Sequence, residues 1–279
     1  MASHRNSISV VIPFYRRQDT FPESLNSVLS QTIKPLEIIV VDDASGGDAT
    51  KYLEQYGTDI KLVTLNTNVG VSEARNVGAR AAKGDFIAFL DSDDTWESEK
   101  LAKQITHFEN HPECNAVHTG TKMLYSDGSV RVYVDKPRRL TKNDLINSSQ
   151  IMCQSLMIRR KDFLLLGGFD KSFRQTEDYE FSMRMVVNGF QVDFIPEPLV
   201  IILRGRSDHL SNSWKGYIAG HIRVVWKYAF VYREVDGFYA VIKHTGRYLI
   251  SGGLKRGGIL GRMIHLLGRC LYPTYKLSD

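Results

Sequence analysis

Residues 8–90 alternate between continuous apolar runs and runs whose apolar residues recur at helical spacing. Ile8 to Pro13 is apolar on both faces and stopped by proline, which predicts a buried strand. Residues 18–31 follow with Phe21, Leu25, Val28 and Leu29 on one helical face. Leu36 to Val41 is a second apolar strand, 48–56 reads as a helix and Ile60 to Leu65 as a third strand. Asn68-Val69-Gly70 predicts a turn, and 71–82 an Ala-rich helix carrying Arg75 and Asn76. The run 85–90, bounded by Gly84, is a fourth strand, and a helix is expected to start near Trp96. Four βα units with short connections predict an α/β fold with a mostly parallel sheet and right-handed crossovers.

The alternation is less regular after residue 113. Strands are expected at 115–124 and 130–134 around the Ser126-Asp127-Gly128 turn, and at 156–159. Helices are expected at 161–166 and 177–188, and two short strands, 191–195 and 198–203, are separated by Pro196 and Pro198. From Trp214 onward the pattern predicts helices over 214–233, 237–250 and 254–271. The chain therefore divides into an α/β body over 1–205, with halves 1–113 and 114–205, and a helical region over 206–279.

Composition is that of an ordinary soluble globular protein, 43% hydrophobic and 24% charged. Cys114, Cys153 and Cys270 show no paired spacing, so neither a disulfide framework nor a zinc site is expected, which favours a reducing cytoplasm. Met1 to Ser7 lacks the apolar region of a signal peptide. No apolar run approaches the roughly 18–20 residues that span a bilayer. Charge is unevenly spread: residues 1–203 hold 23 Lys and Arg against 27 Asp and Glu, whereas 204–279 hold 13 against 4. A basic tail on an acidic body suits a negatively charged surface as partner.

Two acidic clusters carry the candidate chemistry. Asp91-Ser92-Asp93-Asp94 ends the fourth strand, where open α/β sheets bind their ligands. An Asp-x-Asp there suits Mg²⁺ or Mn²⁺, which prefer carboxylate oxygens and leave room for phosphate oxygens. Equally, Asp93 or Asp94 could cap the helix expected near Trp96. Glu177-Asp178 opens a predicted helix and has the same two readings: a general base, or a favourable charge at a helix start. The first strand is followed by Pro13-Phe14-Tyr15-Arg16-Arg17 instead of a glycine-rich loop, and the chain has no P-loop. A phosphate-bearing ligand would then need a metal bridge.

Five ordered motifs resemble those of the family 2 glycosyltransferases of GT-A fold. They are Val10-Val11-Ile12-Pro13-Phe14-Tyr15, Ile38-Ile39-Val40-Val41-Asp42-Asp43-Ala44-Ser45, Asn68 to Gly78, Phe89-Leu90-Asp91-Ser92-Asp93-Asp94, and Gly167-Gly168-Phe169-Asp170 with Thr176-Glu177-Asp178-Tyr179-Glu180. The resemblance covers about residues 8–205 and implies inverting transfer from a nucleotide-sugar donor, UDP by default, to a saccharide or lipid-linked saccharide in cell-surface polysaccharide synthesis. It implies that Pro13 and Tyr15 line the nucleoside pocket, that Asp43 with Asp42 beside it bonds the base, and that Arg75 sits near the nucleotide. Asp91 would approach the ribose or donor sugar, Asp93 would coordinate Mn²⁺ or Mg²⁺, and Asp178 would take the acceptor's proton. Arg16 stands where many members carry Asn. His209 could reach the diphosphate or metal, or be a surface residue, and Trp96 could meet the acceptor or fill the core.

In 254–271, Leu260, Met263, Ile264, Leu267, Cys270 and Leu271 fall at helical spacing, with Lys255, Arg262 and Arg269 on another face. Such a helix can lie in a membrane interface, placing the enzyme at the inner face of the plasma membrane; it can also pack on the body or form a homodimer contact. A sugar nucleotidyltransferase would open with a Gly-rich basic loop, absent here. A non-catalytic nucleotide-sugar or membrane-binding module would be expected to lose Asp91, Asp93 or Asp178, all of which are present. No nucleic-acid motif accompanies the basic tail.

Overall fold

The protein is described by a computed structural model covering residues 6–53, 56, 60–204 and 213–275. Strands β1 (Ile8–Phe14), β2 (Glu37–Asp42), β3 (Ile60–Thr64) and β4 (Phe86–Phe89) alternate with helices α1 (Phe21–Leu29), α2 (Asp48–Leu53) and α3 (Val71–Ala81). Next come β5 (Asp94–Trp96), α4 (Lys100–Asn110), β6 (Ala116–Tyr125), β7 (Val130–Tyr133), α5 (Lys142–Asn147), β8 (Met157–Arg159) and α6 (Arg160–Leu165). Helix α7 (Glu177–Val187) and strand β9 (Val192–Arg204) complete the α/β body. Four helices follow: α8 (Trp214–Lys227), α9 (Ala229–Asp236), α10 (Ala240–Arg256) and α11 (Gly258–Leu271).

All nine strands form one mixed sheet in the order β3-β2-β1-β4-β8-β6-β9-β5, with β7 paired to β6. The β3, β2, β1 and β4 ladders are parallel, and the short β8 pairs antiparallel with β4 and β6, so β6 and β9 run in the direction of β4. The continuous apolar runs have a simple cause. Val11, Ile39, Val41, Ile87 and Phe89 pack on one side against Ala74, Phe163, Phe169 and Phe181, while Val10, Ile12, Ile38, Val40 and Ala88 pack on the other against Phe21, Leu25 and Leu101. Strands buried on both faces lose the polar alternation of a half-exposed sheet.

Three local expectations are corrected. No helix starts near Trp96: β5 pairs antiparallel with β9, and the helix waits until Lys100. Pro196 and Pro198 do not split β9. The β6–β9 register shifts on both sides of Gly120, which faces Pro198, and a bulge tolerates the missing donor. The long helix expected over 214–233 breaks at Tyr228 into α8 and α9, and α10, expected to end at 250, continues through Gly252 and Gly253. The chain turns at Gly257 and Gly258 instead, whose φ values of 62° and 63° favour glycine. Among the described residues no helix is long and apolar enough to cross a membrane.

Asn76 fastens the first half of the α/β body to the second. From α3 its side chain donates to the Phe169 carbonyl (2.9 Å) and accepts from the Phe169 N–H (2.8 Å). Gly168 precedes that contact with φ of 72°, and a Cβ there would lie 2.4 Å from Asn76 Oδ1. This is why the Gly167-Gly168-Phe169 run and the Arg75-Asn76 pair occur in one chain.

Candidate active site at the carboxyl ends of the strands

The carboxyl ends of β1, β2 and β4 bring the first four motifs to one edge. Pro13 is buried beside Val41, and Tyr15, just past β1, is exposed with the Arg16 guanidinium 5.1 Å from its ring centre. Arg16 has φ of 51°, the left-handed region that Asn enters most readily among side-chain-bearing residues, and this explains the Asn common at that position. Asp42 is fully buried. Its Oδ1 accepts from the Ser45 N–H (2.9 Å) and hydroxyl (2.5 Å), while Oδ2 has no partner. Between them Ala44 holds φ of 63°, a strained conformation of the kind that accumulates at functional sites. The Asp43 carboxylate accepts from the Val69 (2.7 Å) and Gly70 (2.9 Å) N–H groups. It thus fixes the turn that starts α3 and keeps a lone pair on each oxygen for a further donor.

Arg75 is the centre of the arrangement. Its side chain is only 3% exposed, which excludes a merely solvated helix face. Nη1 donates to Glu177 Oε1 (2.9 Å), Nη2 makes a short ion pair with Asp91, and Nε is buried without a partner. Burial opposes the charge, but Asp91 and then Glu177 outweigh it, and the guanidinium is held charged more firmly than usual. One side chain therefore joins the end of β4 to the start of α7.

Asp93 Oδ2 lies 3.5 Å from Arg17 Nε. Asp94 is buried; it accepts from Gln154 Nε2 (2.7 Å) and the Leu203 N–H (3.3 Å), and caps no helix, since Glu99 precedes α4. Burial, then the charges of Asp91 and Asp93, push its pKa well above the carboxylate range. Trp96 fills the core, with its indole N–H bonded to the Gln154 carbonyl (2.9 Å). An all-oxygen set of crowded like charges fits a hard divalent cation, because such a cation relieves the repulsion. A second group, His107, Cys114 and Asp193, has ligand atoms within 4.8 Å of one another but sits at the amino end of β9. There Arg139 (2.8 and 3.2 Å) and His107 (3.1 Å) already hold Asp193, and burial with Asp193 pushes the Cys114 thiol up to about 12. That group is a satisfied ionic network away from the acidic edge.

Asp178 is the second residue of α7, and Thr176 occupies the position before the helix. Its Oδ1 accepts from the Tyr179 N–H (2.7 Å), so the carboxylate also serves as the favourable charge at the helix start, although the N-cap position itself belongs to Thr176. The carboxyl group is enclosed by protein yet keeps part of its surface open. Burial, then the Glu177 charge, pushes its pKa up to about 7. Lys136 lies within its electrostatic reach and donates to the Gln150 carbonyl (2.5 Å); burial lowers the lysine to about 8. Behind the base, the Tyr179 hydroxyl meets the Leu145 carbonyl (2.6 Å) and the hydroxyls of Tyr232 (2.7 Å) and Tyr248 (3.4 Å). Buried Glu180 holds Arg184 (2.6 Å), Lys227 (2.8 Å) and Tyr228 (2.8 Å). Through these contacts α5, α8, α9 and α10 brace α7.

His209 lies outside the described residues. The structure adds three residues that spacing did not indicate: Gln154 and Cys153 beneath the acidic edge, and Lys136 beside the base. Each comes from a segment without periodicity, and each acts only through its tertiary position.

The fold is an α/β body with an acidic cluster after β4 and a second acidic pair at the start of α7. The chain matches the model of glycosyl transferase family 2 over residues 9–165. It belongs to that family. It is 40% identical over 188 residues to the UDP-Glc:alpha-D-GlcNAc-diphosphoundecaprenol beta-1,3-glucosyltransferase WfaP of Escherichia coli, covering 66% of this chain and 72% of that one. It is 29% identical to the amylovoran biosynthesis glycosyltransferase AmsB of Erwinia amylovora, covering 75% of this chain and 74% of the other. In structure it is similar to S. aureus TarS 1–349 in complex with UDP-GlcNAc, with a TM-score of 0.67 at 18% identity, covering 96% of this chain and 91% of that chain.

Removing the Arg75 guanidinium leaves Asp91 and Glu177 as partnerless acids in a buried site. Arg75→Met is expected to destabilise the fold by about 3–5 kcal/mol, as breaking a buried ion pair does. Adding Glu177→Gln should recover part of that loss. Urea unfolding measures both, and a wild-type midpoint for Arg75→Met would contradict the bridging role.

Proposed function

We propose that the protein is an inverting glycosyltransferase moving a sugar from a nucleoside-diphosphate donor, UDP-linked by preference, to a lipid-linked saccharide during cell-surface polysaccharide synthesis. The observation that carries this reading is the Arg75 bridge, which sets a base helix against an acidic phosphate-side edge. The donor is supported by family membership, by the exposed Tyr15 ring, and by the spare acceptor capacity of Asp42 and Asp43. The lipid-linked acceptor is supported by the name of the WfaP relative.

In the proposed reaction the acceptor hydroxyl oxygen attacks the anomeric carbon and its proton passes to Asp178. The bond from that carbon to the diphosphate breaks on the opposite face, and the electron pair leaves with the nucleoside diphosphate. Asp178 suits the base: it lies on an element separate from the acidic edge and makes no ion pair of its own among the described residues, whereas neighbouring Glu177 is taken by Arg75. Asp93, with Asp91, would hold Mn²⁺ or Mg²⁺, which supplies charge neutralisation to the leaving diphosphate. Arg17 and Arg75 keep the flanking carboxylates oriented.

The reading extends to an anionic membrane surface on the cytoplasmic side. Helices α10 and α11 pack backbone against backbone through glycines: a Cβ on Gly253 would lie 2.6 Å from the Gly261 carbonyl, and one on Gly268 2.6 Å from that of Gly246. With its glycine face committed to α10, α11 turns its apolar side outward. Ile259 is 81% exposed, Leu266 63% and Met263 62%, and Arg262 flanks them. A preformed apolar strip beside arginine suits an anionic lipid interface.

Asp178→Asn is expected to lower kcat by about 10²–10⁴-fold while donor binding persists, in the range of lost general-base catalysis. Because the base must be ionised, kcat/KM for the wild type should fall as pH drops below about 7 and level off above it. A pH profile flat from 5 to 8, or near-normal turnover by the variant, would remove Asp178 from the chemistry.

Met263→Asp and Leu266→Asp, both on the exposed strip, should leave Tm unchanged. Each should weaken sedimentation with phosphatidylglycerol vesicles by about ten-fold or more, since a buried apolar side chain contributes about 1.5–3 kcal/mol. Equal sedimentation of the variants and the wild type would exclude membrane contact through α11.

A further inference from the structure

A cavity of about 480 Å³ lies between α5, the end of α9, α10 and the segment that follows α11. Its chemistry is one-sided. Arg247 and Lys243 line it one helical turn apart, against a single carboxylate, Asp236. That carboxylate is already shared: Lys243 Nζ lies 2.8 and 2.9 Å from its oxygens and His244 Nε2 2.9 Å from Oδ2. Arg247 has no carboxylate partner among the described residues; its guanidinium hydrogen-bonds the Tyr275 side chain, 5.6 Å from that ring's centre, and Lys243 likewise bonds Tyr272, with Nζ 5.2 Å from its ring centre. His244 is 3% exposed, and its Nδ1 is buried with no hydrogen-bond partner. Buried polar atoms are nearly always satisfied, and a half-buried guanidinium is normally matched by an acid.

We propose that this cavity binds a phosphate oxyanion, held by Arg247 and Lys243 and flanked by Tyr272 and Tyr275. The geometry favours phosphate over a neutral sugar, because a guanidinium fork pairs with tetrahedral oxyanions through two parallel hydrogen bonds. Burial, opposed by Asp236 and reinforced by Arg247 and Lys243, disfavours charge on His244, and an added oxyanion reverses the balance there. Tyr272 and Tyr275 directly follow α11, so the mouth lies next to the helix whose apolar side faces outward. The same phosphate chemistry has two sources, an anionic lipid headgroup or free phosphate. Neither depends on the transfer reaction.

The test is calorimetric titration of the full chain with inorganic phosphate and, separately, with monomeric dihexanoylphosphatidylglycerol, while NMR follows the ¹⁵N-labelled His244 ring. Saturable binding that moves the His244 resonances is expected, weakened about ten-fold or more by Arg247→Gln, the scale of one lost charged hydrogen bond. Tighter binding of the lipid identifies a headgroup site, and equal binding a site for free phosphate; either upholds the proposal. No saturation by either probe overturns it. So does wild-type affinity in Arg247→Gln, or binding that leaves the His244 ring unmoved, and this last readout needs no variant to fold.

Discussion

The buried guanidinium of Arg75 is the interaction on which the rest of the site depends. Asp91 ends a parallel strand, and Glu177 starts a helix far along the chain. Without a cation between them, two carboxylates in a low-dielectric site would separate or protonate. With Arg75 in place they stay together, the end of β4 is tied to the start of α7, and Glu177 is occupied. Asp178, next to it and without an ion pair of its own among the described residues, has its pKa pushed up to about 7 by burial and then by the Glu177 charge. Which of these three acids is left without an ion pair thus follows from which of them one arginine reaches.

The helices after the α/β body brace the start of α7. Tyr179 and Glu180 point away from the crevice into contacts with α5, α8, α9 and α10, so the turn carrying Asp178 is held from behind by hydroxyls and buried charges. Under the proposed function this bracing would fix the position of the base, as general-base geometry requires. The glycine-packed α10–α11 hairpin completes the layer and leaves one apolar side turned outward.

Much of this was legible in the sequence, for physical reasons. Strands β1, β2 and β4 are apolar on both faces, a pattern that only burial from both sides explains, and the carboxylates after them had to fall at the sheet's edge. The helix-cap reading of Asp94 could not be decided from spacing, because a cap and a site acid look alike until the helix start is placed. Trp96 sits in a strand because its partner, β9, lies a hundred residues on, beyond the reach of local pattern. Pro196 and Pro198 read as a break, whereas the register shift beside Gly120 absorbs them. The role of Arg75 as a bridge had no local signal, since one partner, Glu177, is distant in sequence.

The central claim is that the acidic edge is a metal-assisted nucleoside-diphosphate site. Calorimetric titration of UDP, with and without Mn²⁺, into the wild type and Asp93→Ala tests it most directly. The account predicts binding that requires the metal and disappears in Asp93→Ala, with the fold intact. Absence of UDP, dTDP and GDP binding under every metal condition would contradict it, leaving the five motifs as scaffold.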